Sequence, residues 1–354
     1  TQNNLPSAAV LGARAFAALE GLNRFSDEPG KLTRLYLSTA HRQAAEWTRG
    51  AMEVSGLTAF IDAAGSVQCR RDGPVPGGPC VMIGSHIDTV RDGGRFDGNL
   101  GVVAGILVAK ALHDAGIVLP FALEVVAFGD EENVRFPTSF STSNALAGNY
   151  REEWLGARDA DGVTLRDALV DFGCDPAGIP ALARKPGSIL AFLEAHIEQG
   201  PVLEVNDEAV GIVTNVVPGA VEFTIDFRSP RNDTLASMDA AIQERFAEIA
   251  ARRGVGLSIM PYSQDAATPM SEALQDAFSA GIARTGANLS GRRLPSGAGH
   301  DAMAMARICP AAMLFVRNEK GISHSPKENM TEADAGIAIR VMLETVLELA
   351  RNHG

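Results

Sequence analysis

Histidines and carboxylates recur at the ends of apolar runs in this sequence, a placement suited to metal-assisted hydrolysis. Gly84-Ser85-His86-Ile87-Asp88 closes one such run with a His and an Asp two residues apart. A ligating imidazole usually hands its second N–H to a carboxylate, and Asp88 could accept it; an idle surface His-x-Asp pair is the competing reading. Asp97 lies among glycines in Gly93-Gly94-Arg95-Phe96-Asp97-Gly98. A tight backbone there would let one carboxylate bridge two cations, and an Asp favouring the N-terminus of the following helix is the alternative. Asp130-Glu131-Glu132 follow directly on the nearly apolar run Phe121–Phe128. Three acids in that position are costly unless positive charge compensates them. Two adjacent glutamates can divide the tasks of a dinuclear centre, one as ligand and one as acceptor of a proton from bound water. His196 follows the apolar Ile189–Leu193, and His324 sits in the polar loop Ile322–Glu328. One histidine alone is more often structural. Three of them, with an isolated Asp and a Glu pair, make the N/O donor set of zinc, manganese or cobalt.

The elements that must position these residues read as an α/β chain. Residues 8–23 and 39–54 have helical spacing of Ala and Leu. Val81–Gly84 and Phe121–Phe128 are continuous apolar strands, and Gly98–Ala115 between them reads as a helix buried on much of its surface. Such a strand–helix–strand unit belongs to a largely parallel sheet. The last helix runs from Thr331 to Arg351, with Thr331 as N-cap and Asp334 as a weak capping-box partner. One segment differs: Val221, Phe223, Ile225 and Phe227 alternate with Glu222, Thr224, Asp226 and Arg228, the pattern of a half-buried strand. A helix at Leu235–Arg253 and a short strand at Gly256–Met260 follow it, so a small antiparallel module is expected inside the α/β chain.

Composition narrows the partners. The 354 residues suit two to three domains. A formal net charge of −12 leaves no cationic footprint for nucleic acid or an anionic membrane. No apolar run reaches the roughly 18 to 20 residues of a membrane span, and the start, Thr1-Gln2-Asn3-Asn4, has no secretory character. Four scattered cysteines without a CxxC pair suit a reducing, cytoplasmic setting.

The segments GSHIDTVRDGGRFDGNLGVVAGI, FGDEENVRFPTSFSTSNALAG, AHIEQGPVLE, NVVPG, SGAGHDAMAMA and ISHSPKE together resemble the hydantoinase/carbamoylase amidases. That family comprises N-carbamoyl-L-amino-acid hydrolases, allantoate amidohydrolases and β-ureidopropionases, within the wider aminoacylase- and carboxypeptidase-like metalloenzymes. The resemblance implies a zinc-peptidase-like catalytic domain, with a mixed, largely parallel sheet flanked by helices. It implies two divalent ions (Zn, Mn, Co or Ni), one held by His86, Asp97 and His196, the other by Asp97, Glu132 and His324. Glu131 would be the general base for a metal-activated water and Asp88 the partner of His86. Gln199, Asn215 and Arg228 match substrate-contacting positions, with Arg228 taking a carboxylate, and His300 matches an active-site segment. The implied reaction is hydrolysis of a ureido or carbamoyl C–N bond. An aminoacylase or peptidase on the same scaffold, or a catalytically impaired binding protein, are the alternatives. Arg135-Phe136-Pro137 resembles allantoate-type members, whereas Ser143–Gly148 resembles the carbamoylase form.

The family's ferredoxin-like α+β lid, which also forms its homodimer, is half missing here. Gly211–Thr214, which leads into the lid in relatives, is followed at once by Asn215-Val216-Val217-Pro218-Gly219, and no histidine lies between His196 and His300. The resemblance therefore divides the chain into a discontinuous catalytic domain, 1–211 and 265–354, and a lid remnant, 212–264. A half-lid would expose an unpaired sheet edge, which favours a segment absent from this sequence between Thr214 and Asn215 over an engineered or natural deletion, with a short active variant as the third and least favoured explanation.

Overall fold

The computed structural model describes residues 5–138, 140–216, 231–253, 267–286 and 289–353. Two helices open the chain, Ala8–Asn23 (α1) and Thr39–Glu53 (α2). Ser7 and Ser38 cap them, each accepting a first-turn N–H. A hairpin, Thr58–Ile61 (β1) and Val67–Arg71 (β2), leads into the expected strand–helix–strand unit: Cys80–His86 (β3), Asn99–Asp114 (α3) and Ala122–Phe128 (β4). Short helices Ser141–Leu146 (α4) and Leu165–Asp171 (α5) precede the strand Ile189–Ile197 (β5). Next come the single turn Val202–Val205 (α6), the strand Val210–Val216 (β6), the helix Asn232–Arg253 (α7) and the two-residue strand Thr268–Pro269 (β7). Glu272–Arg284 (α8), Arg293–Ser296 (β8), Asp301–Met305 (α9), Ala311–Val316 (β9) and Glu332–Asn352 (α10) complete the chain.

The strands form one mixed sheet in the order β1-β2-β4-β3-β5-β9-β6-β7, with β8 also on β6. Its centre, β4-β3-β5-β9, is parallel throughout, so four strands end at the same edge. Side chains of β3 alternate between two cores. Val81 and Ile83 join the layer containing α1, α3 and α10, whereas Cys80 and Met82 join the opposite one with Met303 and Met305 of α9. Both faces are thus covered, as continuous apolar strands require. The helix α3 lies directly on the sheet because its glycines leave room: a Cβ at Gly101 would stand 2.4 Å from the Ala195 carbonyl oxygen. Gly12 of α1 and Gly336 of α10 allow a similar approach between helices, each Cβ position falling 2.0 Å from a carbonyl oxygen of the other helix.

Two details differ from the sequence reading. Thr331 does cap α10, but Asp334 does not reach back to the Thr331 N–H. Its carboxylate accepts from the Thr331 hydroxyl and from Arg317, an ion pair that outcompetes the capping box. β6 continues unbroken through Thr214 and Asn215: Gly211 and Ile212 pair with β9, and Asn215 and Val216 with β7. The central sheet therefore takes in residues 212–216. The helix expected at Leu235–Arg253 lies within α7. The alternating segment 221–228 and the strand expected at 256–260 lie outside the described residues. Among the described residues no helix is long and apolar enough to cross a membrane.

Candidate metal centre

The carboxyl edge of the parallel strands gathers the predicted residues, as open α/β sheets do with their ligands. β3 ends in His86, and its neighbour β5 presents His196, the two rings stacking with centroids 5.9 Å apart. β4 runs directly into the acidic turn, and the loop between β3 and α3 delivers Asp97. Gly98 sits there at φ 61°, and a Cβ on it would meet the His86 ring at 2.4 Å, so this position must be glycine. The loop between β9 and α10 brings His324.

Asp97 stands at the centre. Its Oδ1 lies 3.0 Å from His196 Nε2 and 3.6 Å from His86 Nε2. Its Oδ2 lies 3.4 Å from His324 Nε2, which is 3.5 Å from Glu132 Oε2. Among the described residues three sets of donors are close enough to hold an ion: His86, Asp97 and His196; Asp97, Glu132 and His324; and His86, Glu131 and Glu132. The first two share only Asp97, through different oxygens, and leave Glu131 free. The third would consume both glutamates and place two anions beside His86 alone, so the first two are the better pair. The donors fit the metal that the family implies, because the Nε2 atoms of His86 and His196, though close to Asp97, and Glu132 Oε1 are buried and make no hydrogen bond of proper geometry among the described residues.

The second nitrogens are already fixed. His86 Nδ1 lies 3.1 Å from the Asp88 carbonyl and 3.4 Å from its carboxylate, and His196 Nδ1 lies 3.0 Å from the Ile197 carbonyl. Both rings thus donate from Nδ1 and turn Nε2 inward. Asp88 also accepts the N–H groups of Glu131 and Glu132, so one carboxylate orients a histidine and the acidic turn together.

The charges are tightly interlocked. Burial alone would lower His86, but Glu131, Asp88 and Asp97 raise it well above an ordinary imidazole. Burial would raise Asp97, yet His196 and His86 hold it well below the usual carboxylate range. Burial and the neighbouring Glu132 push Glu131 well up, and burial with Asp97 does the same to Glu132. Only His324 is open, with 49% of its side chain exposed. The cluster therefore faces solvent on that side.

The remaining predicted residues divide. Gln199 reaches the cluster: its amide donates to Asp97 Oδ2 at 3.0 Å, from a left-handed backbone at φ 55°. Asn215 is buried on β6 and belongs to none of the three donor sets. His300 is 1% exposed, its ring centroid 4.4 Å from that of His196 and its Nε2 2.9 Å from Ser296 Oγ. Burial and His196 lower its pKa well below the ordinary value, keeping it neutral. Arg228 lies outside the described residues. Asp130 turns away from its two neighbours and accepts from the Thr138 and Ser141 hydroxyls. Arg135 pairs with Asp159 and the Tyr36 carbonyl, while Phe136 is buried against Tyr36, so the Arg135-Phe136-Pro137 segment anchors a loop.

Sequence reasoning missed two supports. Arg34, fully buried, donates to the carbonyls of Leu22, Phe25 and Ile87 and to Asn99, tying α1 to the segments flanking His86 and Asp97. Glu194, two residues before His196 on β5, accepts from Ser85 and from the N–H of Ala302 beneath the histidines. Glu194 could have been flagged as an acid inside the buried run of β5, two residues before His196; nothing local marks Arg34.

The family model for peptidase family M20/M25/M40 matches residues 82–348. An N-carbamoyl-L-amino acid amidohydrolase of Geobacillus stearothermophilus is 33% identical over 410 aligned positions, covering 97% of this chain and 100% of that protein. That alignment is longer than this chain, so the relative carries residues with no counterpart here. Allantoate deiminase 1 of Glycine max is 30% identical, over 95% of this chain and 90% of that one. Among solved structures, a hydantoinase/carbamoylase family amidase from Burkholderia multivorans superposes with a TM-score of 0.87 at 27% identity, covering 99% of both chains.

Proposed function

The chain belongs to the peptidase M20/M25/M40 family, and on that premise we propose that it is a metal-dependent amidohydrolase cleaving the C–N bond of a ureido or carbamoyl group in a small acid. The observation that carries this reading is the position of Asp97, with one oxygen toward His86 and His196 and the other toward Glu132 and His324. Bound in those two sets, divalent zinc, manganese, cobalt or nickel would polarise the scissile carbonyl and acidify water.

The chain's own residues do the rest. Glu131, outside both sets, accepts the proton of the attacking water and passes it to the departing nitrogen. Asp88 keeps His86 in one tautomer and holds the Glu131 main chain in place. Gln199 orients Asp97 and reaches the open side of the cluster, where substrate enters past His324. Arg228 binds the substrate carboxylate, for which a planar guanidinium is suited; Asn215 and His300 are assigned to substrate binding on the strength of the family resemblance.

In this reading the half-lid expected at 212–264 begins only after Val216, since 212–216 belong to the sheet; a lid shortened in this way is supported by the longer alignment with the amidohydrolase relative, and an intact mass above 37.2 kDa would point to a segment absent from the sequence. A cytoplasmic location fits the four unpaired cysteines, and a homodimer would form if the lid is complete. The test is ammonia release from N-carbamoyl-L-amino acids, allantoate, ureidoglycolate and β-ureidopropionate, with each metal supplied. Hydrolysis of N-acetyl amino acids or dipeptides, without ammonia from any ureido acid, would overturn it in favour of an aminoacylase or peptidase.

A further inference from the structure

Glu328 lies four residues beyond His324, and none of the roles above uses it. It is 4% exposed. Its Oε1 accepts the backbone N–H of Phe96 at 2.7 Å and of Asp97 at 3.1 Å. The loop carrying His324 is thereby fastened to the loop carrying Asp97, more than 200 residues away in sequence. The Asp97 loop is shaped to receive it: a Cβ at Gly94 would stand 2.1 Å from the Glu328 carboxyl carbon and 2.3 Å from both its oxygens, so any side chain there would expel the acid. Burying a carboxylate is costly, and Oε2 finds no partner among the described residues. His324 needs such an anchor, because it is half exposed and holds a left-handed backbone at φ 54°.

Resting on the metal-centre reading above, we propose that Glu328 is a positioning residue that presets the Asp97–Glu132–His324 set by clamping its two loops together. It touches no substrate and acts through the main chain of Asp97 and the placement of His324. Outer-shell partners of this kind are worth about 10- to 100-fold in metal affinity.

The test uses Glu328→Leu and Glu328→Ala, neither of which keeps an acceptor, in the full chain, with ions per chain counted by elemental analysis after dialysis against a chelator. Wild type should keep two ions under conditions where the variants keep one. The weaker ion's affinity should fall about 10- to 100-fold. Excess metal should restore kcat with KM unchanged, and the melting temperature of the metal-free protein should shift little. Two ions held as tightly by the variants as by wild type would overturn the proposal, even if their melting temperature fell. Should the alanine variant not fold, the leucine variant decides, since it keeps bulk at the site but offers no acceptor to Phe96 and Asp97. Wild-type protein that binds no ion would overturn the functional reading and this proposal together. Two bound ions with no ammonia release would overturn only the functional reading, and the ion count would still decide the role of Glu328.

Discussion

The adjacent acids Asp130, Glu131 and Glu132 have three different fates, set by what each side chain meets. Asp130 turns into a pair of hydroxyls, Glu132 faces His324, and Glu131 stands 3.9 Å from His86 Nε2, outside both Asp97-containing donor sets. Glu131→Gln should therefore lower kcat by about 10²- to 10⁴-fold while the protein still binds two ions; elemental analysis alongside ammonia release separates these effects. Away from the centre, His41 is buried against Phe172 and accepts the Leu37 N–H through Nδ1. Burial pushes its pKa down to about 4 from 6.5. The unfolded chain takes up this proton first, so the stability His41 confers is complete above pH 6.5 and is lost as pH falls through 4, a swing of about 3 kcal/mol. Denaturant unfolding at pH 7 and pH 4.5 should show a smaller acid loss in His41→Gln than in wild type. At this scale the residues that cluster were legible because His and Asp stand out at the ends of apolar runs. Glu328 and Arg34 were not, since their partners are backbone groups of segments far away in sequence.

Elements explain why those side chains converge. The strands β3 and β4 and the helix α3 were readable from their apolar runs, because burial on both faces removes alternation. β7 and β8 are too short to carry a period, and their pairing with β6 is set by partners far off in sequence. The turn into α3 depends on Gly98, whose Cβ would strike the His86 ring. Gly98→Ala should reduce bound metal from two ions toward one or none, read by elemental analysis. A similar substitution far from the site should behave differently. Gly336→Ala forces α1 and α10 apart and should cost about 1 to 3 kcal/mol in denaturant unfolding, with metal stoichiometry preserved.

For the molecule as a whole, the net charge of −12 gains a local meaning. Glu131 and Glu132 are driven above their usual range by burial and by one another or by Asp97, so in the metal-free protein they tend to hold protons. The stability these two groups contribute to the metal-free protein is therefore fully present below the ordinary glutamate pKa and is lost as pH rises through their folded values. Cations reverse this by taking the place of the protons. Metal binding should therefore release protons and tighten as pH rises, which calorimetry in two buffers of different ionisation enthalpy would register. The fold class and the donor set were both evident from sequence; the path of residues 212–216 through the central sheet was not, because a strand continuing and a strand leaving for a lid read alike. The most direct test is to strip the protein of metal and titrate a divalent cation back while following ammonia release from an N-carbamoyl-L-amino acid or allantoate. The account predicts no release without metal and a rise that levels at two equivalents per chain. Ammonia release that survives metal removal, or that levels at one equivalent, would contradict it.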